Sequence, residues 1–194
     1  NRFYPYAILY WHEIVNDSVW DKEVSVTFCP LCWSAIVFDR YVDGEILDFW
    51  VSGKLYQSNL LMYDNKTETL WSQSLWEAVV WSYLGKKLTH IQSHVQSFQQ
   101  FKKLFPDWEV LSDDTGFRRN YWVVPYWNYE ESDSLYFWVD NDGDARFHKK
   151  DIFYIVNDSR SNTSLAFKVS DLAQEKNANL EVWKNKYKAI YRDG

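Results

Sequence analysis

Val24-Ser25-Val26-Thr27-Phe28-Cys29-Pro30-Leu31-Cys32-Trp33-Ser34-Ala35-Ile36-Val37-Phe38-Asp39-Arg40 sets the only two cysteines of the chain between two strand-like runs. Val24, Val26 and Phe28 alternate before the pair, and Ile36, Val37 and Phe38 run apolar after it. The pattern predicts a β-hairpin with Cys29 and Cys32 at its turn. That placement bears on chemistry. A redox CxxC of the thioredoxin kind opens a helix, whose N-terminus lowers the attacking thiol's pKa, whereas a metal knuckle is a hairpin that presents two thiolates. Nothing helical follows Cys32.

The Cys-Pro-x-Cys hairpin resembles half of a rubredoxin or zinc-ribbon knuckle, with one misfit. A knuckle turns with positive φ just after its second cysteine, a place for Gly, and this chain has Trp33 there. The misfit is general: the chain carries 12 Trp but only 6 Gly. Trp stands where turn chemistry asks for Gly at Trp20-Asp21, Cys32-Trp33-Ser34, Asp107-Trp108 and Tyr126-Trp127-Asn128. Reading every Trp except Trp11 and Trp71 as Gly restores the ordinary glycine share of about 7%. The expectation is a gene that uses UGA for glycine, translated here with UGA as tryptophan. The alternative is an aromatic-rich domain that uses Trp for packing or ligand stacking.

At 194 residues the chain is long enough for one domain with a real core. It reads as a single domain over residues 1–194, truncated at its N-terminus because it starts without Met inside a strand-and-turn pattern. Net charge is −6 with scattered Lys and Arg, which leaves no basic footprint for nucleic acid. No apolar run approaches the roughly 18 residues that span a bilayer.

Along the chain, short strands recur with turns between them. Asp43-Gly44 marks a hairpin; Ile46 to Val51 and Asn59 to Tyr63 read as strands, the first closed by Ser52-Gly53-Lys54, and Glu77 to Leu84 as another. Ser97-Phe98-Gln99-Gln100 is a capping box that opens a helix ended by Pro106, and a second short helix is expected near 170–176. The fold class is therefore α+β, mostly β: a meander of short antiparallel strands, barrel-like in one arrangement, with one or two short helices. Leu165-Ala166-Phe167 through Leu172 weakly echoes Phe3-Tyr4-Pro5 through Leu9. Asp140-Asn141-Asp142-Gly143-Asp144 begins like an EF-hand loop, but Asp151 holds the twelfth place instead of Glu, so a tight turn is expected. His90 and His94 have metal-ligand spacing only on a helix, and the strand-like segment before them argues against one.

At His12-Glu13-Ile14-Val15-Asn16-Asp17, Val26 through Cys32, Val51-Ser52-Gly53-Lys54-Leu55, Leu61-Met62-Tyr63-Asp64, Leu70-Trp71-Ser72-Gln73 and Asn120-Tyr121 through Pro125-Tyr126, the chain resembles the family called domain of unknown function 3179. The resemblance runs from about residue 1 through at least 170. It implies Gly or another small residue at positions matching Trp33, Trp50, Trp76, Trp81, Trp108, Trp122 and Trp127. It also implies a bacterial or archaeal source, often with an export signal, and hence an extracytoplasmic, exported or lipid-anchored protein. It implies no reaction.

Three readings stand. In the first, Cys29 and Cys32 with His12 and an unidentified fourth ligand bind one transition metal ion, Zn, Cu or Fe, since two thiolates and an imidazole suit these metals. In the second, the pair is a thiol–disulfide module whose reactive thiol is Cys29. In the third, the cysteines are structural or inert in a binding domain, and Met62, Trp71, Gln73, Arg118 and Tyr121 contribute to a pocket for an unknown small molecule.

Overall fold

The computed structural model describes residues 1–126, 128–140, 143–158, 163–182 and 185–191. They fall into two compact units, residues 1–141 and 142–194.

The first unit runs β1 (Arg2–Phe3), α1 (Tyr6–His12), β2 (Ile14–Val19), β3 (Lys22–Cys29), β4 (Ser34–Asp39), β5 (Tyr41–Val42), β6 (Glu45–Ile46), β7 (Phe49–Tyr56), β8 (Asn59–Asp64), β9 (Leu70–Ser72), β10 (Glu77–Val80), β11 (His90–Ile91), α2 (Phe98–Leu104) and β12 (Glu109–Val110). Two four-stranded antiparallel sheets carry it, ordered β11-β4-β3-β2 and β10-β9-β8-β7. The chain is mostly β, with 41% strand and 13% helix, and no barrel closes among the described residues. The edge strands β2 and β7 meet through a side chain instead of a backbone ladder: Asn16 Nδ2 donates to Phe49 O at 2.9 Å, and Phe49 N donates to Asn16 Oδ1 at 3.0 Å. β1 pairs with β12 in parallel, an exception to the antiparallel meander.

Strand β3 is buried on both faces because its residues alternate between two clusters. Val24, Val26 and Phe28 pack with Leu9 and Tyr10 of α1, while Cys29 joins Phe38, Phe49, Leu60, Met62 and Trp71 in the other core. Fully burying side chains of this size stabilises the fold by about 1.5–3 kcal/mol each. The hairpin expected from Val24 to Phe38 is present, with Cys29 paired to Ser34.

Three segments differ from the sequence reading. The strand expected from Glu77 to Leu84 ends at Val80, where positive φ at Trp81 opens a turn. Residues 6–12 form α1, which the aromatic run Tyr4-Pro5-Tyr6 concealed: Pro5 is its N-cap at φ −64°, an angle already suited to helix entry. Ser52-Gly53 does not close a strand, since β7 continues to Tyr56 and the register against β8 shifts between Val51 and Lys54. Gly53, at φ +72°, absorbs the bulge.

The second unit holds β13 (Phe153–Asp158), β14 (Thr163–Lys168), α3 (Val169–Glu175), β15 (Asn177–Val182) and β16 (Asn185–Ile190). Its α3-β15-β16 repeats the geometry of α1-β2-β3. Each helix has seven residues and ends on a residue of positive φ, Glu13 at 58° and Lys176 at 64°. Glu13 O accepts from Phe28 N at 2.7 Å, and Lys176 O accepts from Tyr191 N at 2.9 Å. Ile14 pairs with Thr27 and Val19 with Lys22; likewise Asn177 pairs with Ile190 and Val182 with Asn185. One constant shift along the chain relates the two registers.

Among the described residues four tryptophans have positive φ: Trp20 at 59°, Trp33 at 53°, Trp76 at 58° and Trp81 at 70°. For a bulky side chain this backbone region is strained. Trp20 is also 80% exposed and Trp122 97%, while Trp71 is fully buried. Trp127 and Trp183 lie outside the described residues, as do Asn141 and Asp142 of the EF-hand-like run; its twelfth residue, Asp151, instead pairs with Lys168 Nζ at 2.7 Å.

Asn16 and Ser25 test the polar part of this frame. Asn16→Ala leaves the Phe49 amide and carbonyl without their partner and is expected to cost about 2 kcal/mol. Ser25 is buried and its Oγ has no hydrogen-bond partner among the described residues, so Ser25→Ala is expected to stabilise by about 1 kcal/mol. Urea unfolding midpoints at constant m-value measure both.

Candidate functional site

The turn from β3 into β4 brings Cys29 and Cys32 to its two ends, with Cys32 N donating to Cys29 O at 3.4 Å. Positive φ at Trp33 sends the chain back into β4, as the knuckle pattern requires. The two thiols then meet opposite surroundings. Cys29 is buried in the apolar core, its S–H within reach of Ser58 O at 3.9 Å. Cys32 is exposed, and its sulfur is met by polar groups: Asn59 Nδ2 donates to it at 3.1 Å and Ser34 Oγ lies at 3.0 Å.

Behind these groups lies Gln73, fully buried just after β9. Its Nε2 donates to Thr27 Oγ1 at 2.9 Å and to Ser34 O at 3.1 Å. Its Oε1 accepts from Ser34 Oγ and from Asn59 Nδ2, each at 2.8 Å. One side chain thus ties the end of β9 to β3, β4 and β8.

The electrostatic result is a divided pair. A hydrogen bond from the Cys29 thiol, helped by Ser34 and Asn59, lowers Cys32 against the opposing effect of burial. The same hydrogen bond, with burial and the nearby Cys32 charge, pushes Cys29 up. The acidic, accessible thiol is therefore Cys32, not the Cys29 expected from sequence.

Tyr126 and residues 128–138 cover the turn. Glu130 accepts from Trp33 Nε1 at 3.0 Å and also from the Tyr10 hydroxyl. Tyr129 is buried and packs on Tyr136 with ring centres 4.2 Å apart. Ser58 Oγ donates to Phe137 O at 2.9 Å. Tyr126 donates its hydroxyl to Glu13 Oε1 at 2.8 Å, and burial raises Glu13 above the usual carboxylate range.

The remaining expected residues do not gather here, apart from Gln73. His12 Nε2 is bonded to the Tyr121 hydroxyl at 2.7 Å, and that hydroxyl meets Thr115 Oγ1 at 2.5 Å. Burial and the Arg119 charge lower His12. Among the described residues no three of His, Cys, Asp and Glu are close enough to hold a metal ion, so His12 is not assembled with the cysteine pair. The cause lies at the end of α1: Glu13 turns with positive φ, and the helical residue before it joins the 115–121 loop. Met62 and Trp71 are fully buried in the core, with Trp71 Nε1 donating to Asp64 Oδ2 at 3.0 Å. Arg118 is exposed. His90 opens β11 and packs on Trp76 with ring centres 3.8 Å apart, which removes the helical His90–His94 spacing. Sequence reasoning missed Ser34 and Asn59. Ser34 is the first residue after the turn and was visible as a polar residue opening β4; Asn59 carried no local signal.

No helix among the described residues is long and apolar enough to cross a membrane. No curated protein and no solved structure matches the chain significantly.

The acidity split is directly measurable. Iodoacetamide is expected to label Cys32 with a pH midpoint below the ordinary thiol value of about 8.5, because the thiolate is the nucleophile. Cys29 is expected to stay unlabelled until the protein unfolds. Peptide mass spectrometry resolves the two, and a Cys32 midpoint near the ordinary 8.5 would contradict the geometry.

The family resemblance extends over the whole chain: the family described as Protein of unknown function (DUF3179) matches residues 1–194, and the chain belongs to it.

Proposed function

We propose that this chain is a thiol–disulfide exchange module in which Cys32 attacks and Cys29 resolves. The observation that carries the reading is the divided pair itself: an exposed, acid-shifted thiol and a buried, base-shifted one at the two ends of one turn. An attacking thiol works best with a pKa near or below ambient pH and with access to its target.

The steps balance with a disulfide RS–SR′ as electron acceptor. The Cys32 thiolate attacks one sulfur, forming Cys32–S–S–R and breaking the S–S bond to release R′S⁻. Cys29 then gives up its proton and attacks Cys32 Sγ, forming the Cys29–Cys32 disulfide and releasing RS⁻, which takes the proton. Two electrons pass from the cysteine pair to the acceptor.

The test is incubation of the reduced protein with a chromogenic aromatic disulfide. Two equivalents of released thiol and an intramolecular disulfide are expected. Cys29→Ser should stop at a mixed disulfide on Cys32, and Cys32→Ser should release no thiol on the same timescale. Failure to exchange, together with about one equivalent of Zn, Cu or Fe lost in a Cys29→Ser, Cys32→Ser variant, would replace this reading with the metal knuckle. That reading needs ligands beyond the two thiolates.

We also infer that ten tryptophans, Trp20, Trp33, Trp50, Trp76, Trp81, Trp108, Trp122, Trp127, Trp138 and Trp183, are glycine in the protein made by its own cell, read from UGA codons. Positive φ at Trp20, Trp33, Trp76 and Trp81 supports this. So does the hairpin from Val19 to Lys22, with Trp20 first in a two-residue turn, where a II′ turn takes Gly. The matter touches function because Trp33 adjoins Cys32. Glycine masses at these positions in protein from the native source are the expected result; UGG codons at Trp20 or Trp33 would overturn it.

A further inference from the structure

Main-chain groups fix the orientation of both carboxamides beside Cys32. Asn59 Oδ1 accepts from Ser74 N at 3.0 Å, so its amide nitrogen faces the cysteine turn. Gln73 spends both of its N–H groups on Thr27 Oγ1 and Ser34 O, so its oxygen faces the same way. That oxygen accepts from Asn59 and from the Ser34 hydroxyl. A serine hydroxyl carries one proton. With the proton given to Gln73, Ser34 turns a lone pair toward Cys32 Sγ, 3.0 Å away. This arrangement suits a thiol, which donates, and opposes a thiolate, which accepts.

We infer that Ser34 is a positioning residue whose hydroxyl swings from Gln73 Oε1 to Cys32 Sγ when the Cys32 thiol ionises, with Gln73 as the competing acceptor that sets how readily this happens. The inference rests on the thiol–disulfide reading for its purpose and on the hydrogen-bond geometry for its content. Asn59 Nδ2 shares its two N–H groups among Gln73 Oε1 at 2.8 Å and the Cys32 sulfur and Ser34 Oγ, each at 3.1 Å. Beyond Asn59, the Cys29 thiol and the Ser34 main chain, the thiolate gains a further side-chain donor by the Ser34 rotation. When Cys32 becomes part of a disulfide its charge is gone, and the hydroxyl returns to Gln73. The attacking thiol is thus supported while charged and not once it has reacted. The titratable groups around the pair are Cys29 from β3 and Tyr129 from the covering segment, with Glu130 bonded to the neighbouring Trp33.

The test is the pH midpoint of Cys32 alkylation, read by peptide mass spectrometry, in four proteins. Ser34→Ala removes the swinging donor and is expected to raise the midpoint by about one unit, a tenfold loss of thiolate below it. Ser34→Thr keeps the hydroxyl and should stay near wild type. Gln73→Met removes the competing acceptor and should lower the midpoint, the opposite sign. A purely structural role for these residues would change unfolding midpoints without moving alkylation. An unmoved midpoint in Ser34→Ala, or a raised one in folded Gln73→Met, would overturn the inference. Should Gln73→Met not fold, the contrast between Ser34→Ala and Ser34→Thr decides it alone. Thiol release from a disulfide by the wild-type protein is scored separately: exchange without the midpoint shifts sinks only the Ser34 switch, and shifts without exchange sink only the proposed function.

Discussion

The buried carboxamide of Gln73 is the constraint on which the site depends. Apolar contacts among Phe38, Phe49, Leu60, Met62 and Trp71 drive the two sheets together, but that force is non-directional and does not choose a register. A fully buried amide does choose, because each unpaired group on it carries a desolvation cost. Gln73 meets this demand only with Thr27, Ser34 and Asn59 at their observed places. Asn16 plays the corresponding part where β2 meets β7. Between these two polar clamps, the packing of one sheet against the other is specified.

Cys29 and Cys32 show how one turn serves two chemistries. Strand alternation carries Cys29 into the apolar core on the same side of β3 as Thr27 and Ser25. Three residues later the chain has reversed, and Cys32 emerges among donors supplied by β4 and β8. Desolvation and hydrogen bonding act on thiols in opposite directions, so a few ångströms of placement separate their acidities. The covering residues 128–138 complete the surroundings with Tyr129 and Glu130, contributed from far along the chain.

Legibility followed the range of the signals. The β3–β4 hairpin, the Asp43-Gly44 turn and the α2 cap, where Gln100 N donates to Ser97 Oγ at 3.2 Å, are local and were readable. The excess of Trp over Gly was readable too, and four tryptophans with positive φ stand where those turns were placed or in others like them. Helix α1 was not readable, because Tyr, Ile, Leu and Trp at successive positions blur a 3.6-residue period into a strand-like run. Nor was the β7 bulge, since Ser-Gly reads as a turn unless the partner strand is known. His12 looked like a ligand from its place in sequence, yet one residue of positive φ at Glu13 sends it to Tyr121.

The sequence by itself determined the β-rich class, the hairpin and the two thiols at its turn, because alternation, turn chemistry and CxxC spacing act over a few residues. Only the tertiary structure decided which thiol is acidic, which polar residues serve it and which expected ligands stay away. Those depend on Gln73 and Asn59 crossing from the second sheet to the first, and on Cys29 sinking into a core built from seven strands. Such contacts join residues tens of positions apart, and no local pattern records them.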